Sequence, residues 1–330
     1  MESENKRTIS AVIPAYNAEA VIGRAIESVL SQTLVPEEIL VIDDGSADRT
    51  GSAAQTYGHK IRYIRQDHTG ASDARNRGIQ ESRGRWIAFL DADDQWLPDR
   101  LRRQSELLDR RPDLRWVTGN FYRCQCSRNH KQTVELAKSQ GHKAIEDLQG
   151  AEIFDSYFAA HLLGAMGWTG TMLICKDLLE EAGLFLPGQK RFNDVDLWLR
   201  MAYRGARIGY IYEPLAVYHL GVADRILTLH RQAEHIELFL QRHFQLADEA
   251  GMTESFRPFA AQILGWWVGQ RMADGDGRQM RYLLKKYREL FSKSSFIKQC
   301  IWSWCPKTGM LYNRIKKSIR TRAQGRPDGS

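Results

Sequence analysis

The first third of the chain alternates short continuous apolar runs with amphipathic stripes. Residues 8–13, 38–43, 61–65 and 86–90 read as strands buried on both faces. Between them, Val21, Ile22, Ala25, Ile26, Val29 and Leu30 recur at helical spacing, a second helix runs to about Tyr57, and residues 67–76 read as a loop entering a helix, with Gly70 and Arg75 its notable members. Strands alternating with helices predict βαβ units, a parallel sheet and right-handed crossovers, hence an α/β fold. Pro14 is expected to end the first strand, Asn17 to cap the first helix, and Ser46 or Asp48 the second.

Further on, the pattern predicts a helix at 98–110, a strand at 116–123, a loop or hairpin insertion at 127–150 and a helix at 151–163. A strand at 170–175 and a short helix ended by Gly183 follow. A loop leads into a helix with Leu197, Met201 and Ala202 inward, then come two strands at 207–212 and 215–218. After Asp224 only helical stripes remain, at 226–250, 256–272, 278–292, 296–304 and 311–322. The expected division is a catalytic domain at 1–224 and a helical C-terminal region at 225–330.

Chemistry enters where the strands stop. The run Trp86–Leu90 ends in Asp91, Asp93 and Asp94, and the second strand ends in Asp43 and Asp44. In an open α/β sheet ligands bind beyond the carboxyl ends of the strands. Asp91 and Asp93 lie two residues apart, so in extended chain they point the same way. They repel unless a cation sits between them, and Mg²⁺ or Mn²⁺ shares such sites with phosphates. The plainer alternative is an acidic turn with Asp94 capping a helix opened by Leu97-Pro98. No Gly-x-Gly-x-x-Gly follows the first strand, which disfavours a dinucleotide dehydrogenase.

Charge and cysteines narrow the picture. Residues 281–330 carry thirteen Lys/Arg against two acids, a net +11, and the other 280 residues sum to −4. The basicity belongs to the tail and speaks of a surface partner. Five scattered cysteines without a Cys-x-x-Cys pair argue against a disulfide framework or a zinc site. No apolar run approaches the ~20 residues that span a bilayer, and the polar N-terminus carries no visible secretory signal. The expected location is cytoplasmic. For residues 294–322 two readings stand: peripheral contact with the inner face of the plasma membrane, or a solvated basic helix docked on the body. No recognition fold supports nucleic-acid binding by this tail.

Five blocks occur in a fixed order: Val12–Glu19, Leu30–Thr33, Val41–Thr50, Gly70–Gly78 and Phe89–Asp94, with a thinner continuation through Asp194–Arg200. In that order they resemble family 2 of the inverting, nucleotide-sugar-dependent glycosyltransferases, whose fold is called GT-A. The resemblance implies a Rossmann-like, mostly parallel sheet flanked by helices. It implies that Pro14, Ala15, Tyr16, Asn17 and Glu19 run along the nucleotide, with Tyr16 beside the base and Asp44 accepting from the base edge. Arg75, or the Gly70–Asp73 turn in its place, would face the base or the diphosphate. Asp91 and Ala92 would lie near the ribose, and Asp93, with Asp91, would hold Mg²⁺ or Mn²⁺. Asp194 would be the catalytic base, with Asp196 a runner-up that supports the helix. Asn193 departs from the acid usual before the base. His219 lies near where the family often faces the diphosphate, and Trp168, Trp198 and Phe192 are candidates to stack on an acceptor sugar.

The implied partners are a nucleotide-sugar donor, with a bias to UDP, and a glycan or glycolipid acceptor in surface polysaccharide synthesis. Two competing readings are a nucleotidyltransferase, which lacks its Gly-rich phosphate loop here, and a nucleotide- or carbohydrate-binding protein with an inactive site.

Overall fold

The computed structural model describes residues 7–126, 132–136, 150–189, 191–220, 233–274 and 277–304. The chain divides into two compact units, Met1–Arg225 and Ile226–Ser330. In chain order the first unit contains β1 (Ile9–Ala15), α1 (Ile22–Leu30), β2 (Glu38–Asp44), α2 (Thr50–Gln55), β3 (Arg62–Gln66), α3 (Ala71–Glu81), β4 (Trp86–Phe89) and β5 (Gln95–Trp96). It continues with α4 (Arg100–Arg110), β6 (Trp116–Cys126), β7 (Gln132–Leu136), β8 (Ala151–Phe154), α5 (Tyr157–Leu162), β9 (Leu173–Cys175), α6 (Lys176–Glu181), α7 (Asn193–Ala202) and β10 (Ile208–Leu220).

The strands form one sheet in the order β3-β2-β1-β4-β9-β6-β10-β5, with β7 on β6 and β8 on β10. The first four are parallel, joined through α1, α2 and α3. Beyond β4 the sheet is mixed: β9 runs antiparallel to both β4 and β6, and β6 and β10 are parallel. Strand order reverses beside β1, and the carboxyl ends of β1, β2 and β4 open at that switch. Every residue of β1 is buried, and each fully buried Ile or Val there contributes about 1.5–3 kcal/mol.

Several local expectations differ. β1 runs through Pro14 to Ala15, with Pro14 opposite Ile42 of β2. Pairing with β4 stops at Val12 opposite Phe89, so the missing proline N–H falls where no ladder bond on that side is needed. Asn17 is not a helix cap. It takes φ 48°, its N–H donates to Ser46 Oγ at 3.0 Å, and its Oδ1 accepts from Ala47 N at 2.9 Å. Ser46 is therefore spent on Asn17, whereas Asp48 Oδ1 accepts from Thr50 N at 3.0 Å as α2 begins.

Residues 151–163 are not one helix. β8 pairs with β10, and Ser156 then caps α5 by accepting from Ala159 N at 3.3 Å. The two strands expected at 207–218 are one, β10, with register breaks on either side of Pro214. Asp94 caps no helix: β5 intervenes and α4 starts at Arg100.

The second unit holds α8 (Ala233–Glu249), α9 (Thr253–Asp274), α10 (Gly277–Lys286) and α11 (Lys293–Trp304). Its core is Ile236, Phe239, Leu240, Phe256, Phe259, Leu264, Val268, Met280, Leu283 and Leu284. No described helix is long and apolar enough to cross a membrane. The basic segment 311–322 lies outside the described residues.

Candidate active site

The site begins at the end of β2. Asp44 is almost fully buried and its carboxylate is met on all sides. Oδ1 accepts from Gln66 Nε2 at 2.7 Å and Thr69 N at 3.0 Å, and Oδ2 accepts from Gly70 N at 2.8 Å. His68 Nδ1 lies 2.8 Å from Oδ2. Burial raises the Asp44 pKa, but the bonds from Thr69, Gln66 and Gly70 outweigh it and hold the carboxyl below its ordinary value. Tyr16 stands 48% exposed at the end of β1. The His68 ring stacks on it with centroids 4.1 Å apart and planes 19° apart. Pro14 and Ala15 are buried, so only their backbone is offered to a ligand. Glu19 is engaged by the helix start opposite, accepting from Arg49 N at 2.8 Å.

The second group of acids follows β4. Arg75, buried on α3, donates to Asp91 Oδ1 at 2.6 Å, and its guanidinium lies 5.5 Å from the Phe185 ring centroid. Arg75 is therefore the counter-charge of Asp91. Ala92 is buried. The Asp93 carbonyl accepts from Arg24 Nη2, which ties this turn to α1. Asp94 is fully buried; Oδ1 accepts from His219 N at 2.7 Å, and Oδ2 has no partner among the described residues. Burial first, then the charges of Asp91 and Asp93, push the Asp94 pKa up to about 9. His219 Nε2 is also buried and without a partner among the described residues, and burial followed by the Arg24 charge pushes its pKa down to about 4.

The third component opens α7. Phe192 takes a left-handed conformation, φ 55°, immediately before the helix, a costly choice for a bulky residue that concentrates at functional sites. Asp194 is half-buried in the first turn. Thr169 Oγ1 donates to its Oδ2 at 3.4 Å, and its charge reaches buried Tyr157. Asn193 Nδ2 donates to Ser72 Oγ at 3.2 Å. Ser72 and Arg75 are three apart on α3 and share a face. One helix thus contacts both the α7 opening and Asp91. Asp196, by contrast, is fully buried in an ion pair with Arg200 at 2.8 Å, so it supports the helix.

Comparison with known proteins decides the family. Residues 10–165 match the glycosyl transferase family 2 profile. The chain carries a glycosyl transferase family 2 domain.

An uncharacterised glycosyltransferase of Rickettsia prowazekii, RP339, is 29% identical over 229 residues, 69% of each chain. The succinoglycan biosynthesis protein ExoO of Rhizobium meliloti is 48% identical over 103 residues, 31% of this chain and 30% of that one. Among solved structures, residues 1–349 of Staphylococcus aureus TarS in complex with UDP-GlcNAc superpose with a TM-score of 0.60 over 92% of each chain at 16% identity. That likeness establishes the GT-A fold.

Two expectations about aromatic residues change. Trp198 is core, 1% exposed and packed on Trp116 and Phe185. Trp168 sits apart from it, against Phe121 at 4.4 Å and Tyr218 at 5.4 Å. Sequence reading also missed Arg24, His68 and Thr169, which carry no local signal, whereas Ser72 lies in the Gly70–Asp73 turn.

Family 2 members commonly use divalent cations, so the donor set was tested for fit. Among the described residues no three His, Cys, Asp or Glu side chains form a metal cage. What is present is the acid turn after β4, with Arg75 aiming Asp91 and with Asp94 buried behind Asp91 and Asp93. That set fits a hard cation held by one or two carboxylates and completed by diphosphate oxygens and water.

Proposed function

We propose that this glycosyltransferase moves a sugar from a UDP-sugar to an acceptor hydroxyl with inversion, and that unit Met1–Arg225 carries the reaction. The observation that carries the reading is the α3 bridge: Asn193 bonds Ser72, and one turn on Arg75 bonds Asp91. It supports a single cleft flanked by Asp91-Ala92-Asp93 and Asp194.

The base end of the donor would lie between Tyr16 and Asp44, along Pro14–Asn17. Asp44 Oδ1 is taken by Gln66 and Thr69 and Oδ2 by Gly70 N, so the carboxylate offers a base one place on Oδ2, the place His68 Nδ1 now faces at 2.8 Å. An edge with one imide N–H, as in uracil, suits that single place better than guanine with its two adjacent donors. The solved TarS complexes with UDP and UDP-GlcNAc accord with this preference.

Asp91 and Asp93 would hold Mg²⁺ or Mn²⁺ at the diphosphate. When bound, the cation neutralises charge on the departing diphosphate. Arg75 keeps the Asp91 carboxylate aimed. Asp194 takes the proton from the attacking hydroxyl as the new glycosidic bond forms and the bond to the diphosphate breaks. Thr169 holds Asp194 Oδ2, and the strained Phe192 sets the start of the helix. One in-line displacement inverts the anomeric centre.

The ExoO name favours an acceptor in surface polysaccharide or glycolipid synthesis. Contact with a membrane surface through 294–322 would bring the site to a lipid-linked acceptor. The test is a panel of nucleotide sugars with Mn²⁺, scored by thermal stabilisation and release of nucleoside diphosphate in the presence of acceptor extract. The reading predicts stabilisation by UDP-sugars above other nucleotides; stabilisation by none of them overturns it.

A further inference from the structure

The nucleobase position proposed above is filled by the protein's own side chain. The His68 imidazole lies flat on Tyr16 at 4.1 Å, and its Nδ1 sits 2.8 Å from Asp44 Oδ2. A flat heteroaromatic ring stacked on Tyr16 with a ring nitrogen against Asp44 makes the same two contacts as a pyrimidine base. We propose that His68 is a placeholder for the nucleobase and must swing out for the donor to bind. This rests on the proposed UDP-sugar reading of the site.

The geometry confines the movement to the side chain. The backbone around His68 is clamped: Thr69 N and Gly70 N donate to Asp44 at 3.0 and 2.8 Å. Gly45 takes φ +74°, and a Cβ there would lie 2.8 Å from His68 N, so the two backbones are in direct contact. The His68 side chain, in contrast, is 55% exposed, whereas that of Asp44 is 4% exposed. A rotation about χ1 toward solvent uncovers one face of Tyr16 and one lone pair of Asp44 Oδ2. The loop, with Gln66 and Thr69 on Oδ1, stays in place. The pocket is therefore kept in its binding shape before the donor arrives, at the cost of a competitor that the donor must displace.

The fraction of molecules with His68 swung out scales the donor affinity directly. A stacked pair, the contact of Nδ1 with the Asp44 backbone carbonyl at 3.1 Å and the carboxylate beside it favour the closed form by enough to weaken binding on the order of tenfold.

The experiment is calorimetric titration of UDP with Mn²⁺ into full-length wild type and His68→Ala. It is paired with NMR of the His68 ring protons in wild type, which Tyr16 shields in the closed form. The expected results are UDP affinity about tenfold tighter in His68→Ala and loss of the Tyr16 shielding at saturating UDP. Binding by the variant alone, with wild type too weak to titrate, supports the placeholder as well. Weaker or equal affinity in the variant, with His68 protons unmoved by saturating UDP, overturns it while the UDP-sugar reading stands. Absence of UDP binding to both proteins, with His68 protons unmoved, overturns both.

Discussion

Asn193 Nδ2 donates to Ser72 Oγ at 3.2 Å across 121 residues of sequence. This contact fixes where α7 begins relative to α3. Asn193 also accepts from Asp194 N at 2.9 Å through Oδ1, so one amide serves both partners. An acid at this position would have to accept from Ser72 instead, and would place a second charge beside Asp194.

The role of Asp194 separates chemistry from binding. Asp194→Asn keeps size and polarity but removes the proton acceptor. Transfer is expected to fall by about 10²–10⁴-fold, with UDP affinity within twofold of wild type, roughly 0.4 kcal/mol. Paired kinetic and calorimetric measurements check this; retained turnover refutes it.

Arg75 acts on Asp91. Removing the guanidinium leaves the part-buried carboxylate uncompensated beside two other acids. Arg75→Met is expected to cost about 1.5–3 kcal/mol of stability and to weaken Mn²⁺-dependent UDP binding. Urea denaturation reads the first effect and calorimetry with and without chelator reads the second.

Asp44 predicts an acid-dependent stability difference. Its pKa is lowered in the fold, so its contribution is fully present above its ordinary value of 3.8 and is lost as pH falls through the lower folded value. Asp44→Asn turns an amide toward the Gly70 N–H and is expected to cost about 1–3 kcal/mol at pH 7. The gap should begin to narrow below about pH 3.8, where the unfolded chain takes up the proton, and close once the folded Asp44 is protonated at its lower value. Urea midpoints at pH 7 and pH 3 give the sign directly.

Gly78 predicts how closely α3 sits on β1. A Cβ there would run into Val12 Cγ1 of the central strand. Gly78→Ala is expected to cost about 1–3 kcal/mol through overpacking, seen as a lower thermal midpoint, and to weaken UDP binding because α3 carries both Ser72 and Arg75. A variant as stable as wild type would contradict the packing.

The parallel half of the sheet and its acids were legible because buried strands are continuous apolar runs, and Asp43, Asp44, Asp91 and Asp93 interrupt those runs abruptly. Asp194 came from the family resemblance, since nothing in a half-buried helix-opening acid marks a base. His68, Arg24 and Thr169 were illegible for one reason: each matters through a partner 24 to 69 residues away. Trp198 takes the commoner fate of such aromatics, core packing, and its neighbours carry the signal. Leu197, Trp198, Met201 and Ala202 form one stripe at helical spacing, and all four are buried. The strand at 151–154 was lost because the Asp155-Ser156 break was not used as a helix start.

The central claim is that the acids after β4 and the acid opening α7 face one donor. The most direct measurement is the anomalous scattering of Mn²⁺ in crystals grown with UDP. The account predicts one ion at Asp93 and Asp91, bridging the diphosphate, with Asp194 on the wall of the same cleft. An ion held elsewhere, or an Asp194 carboxylate walled off from the diphosphate by protein, contradicts it.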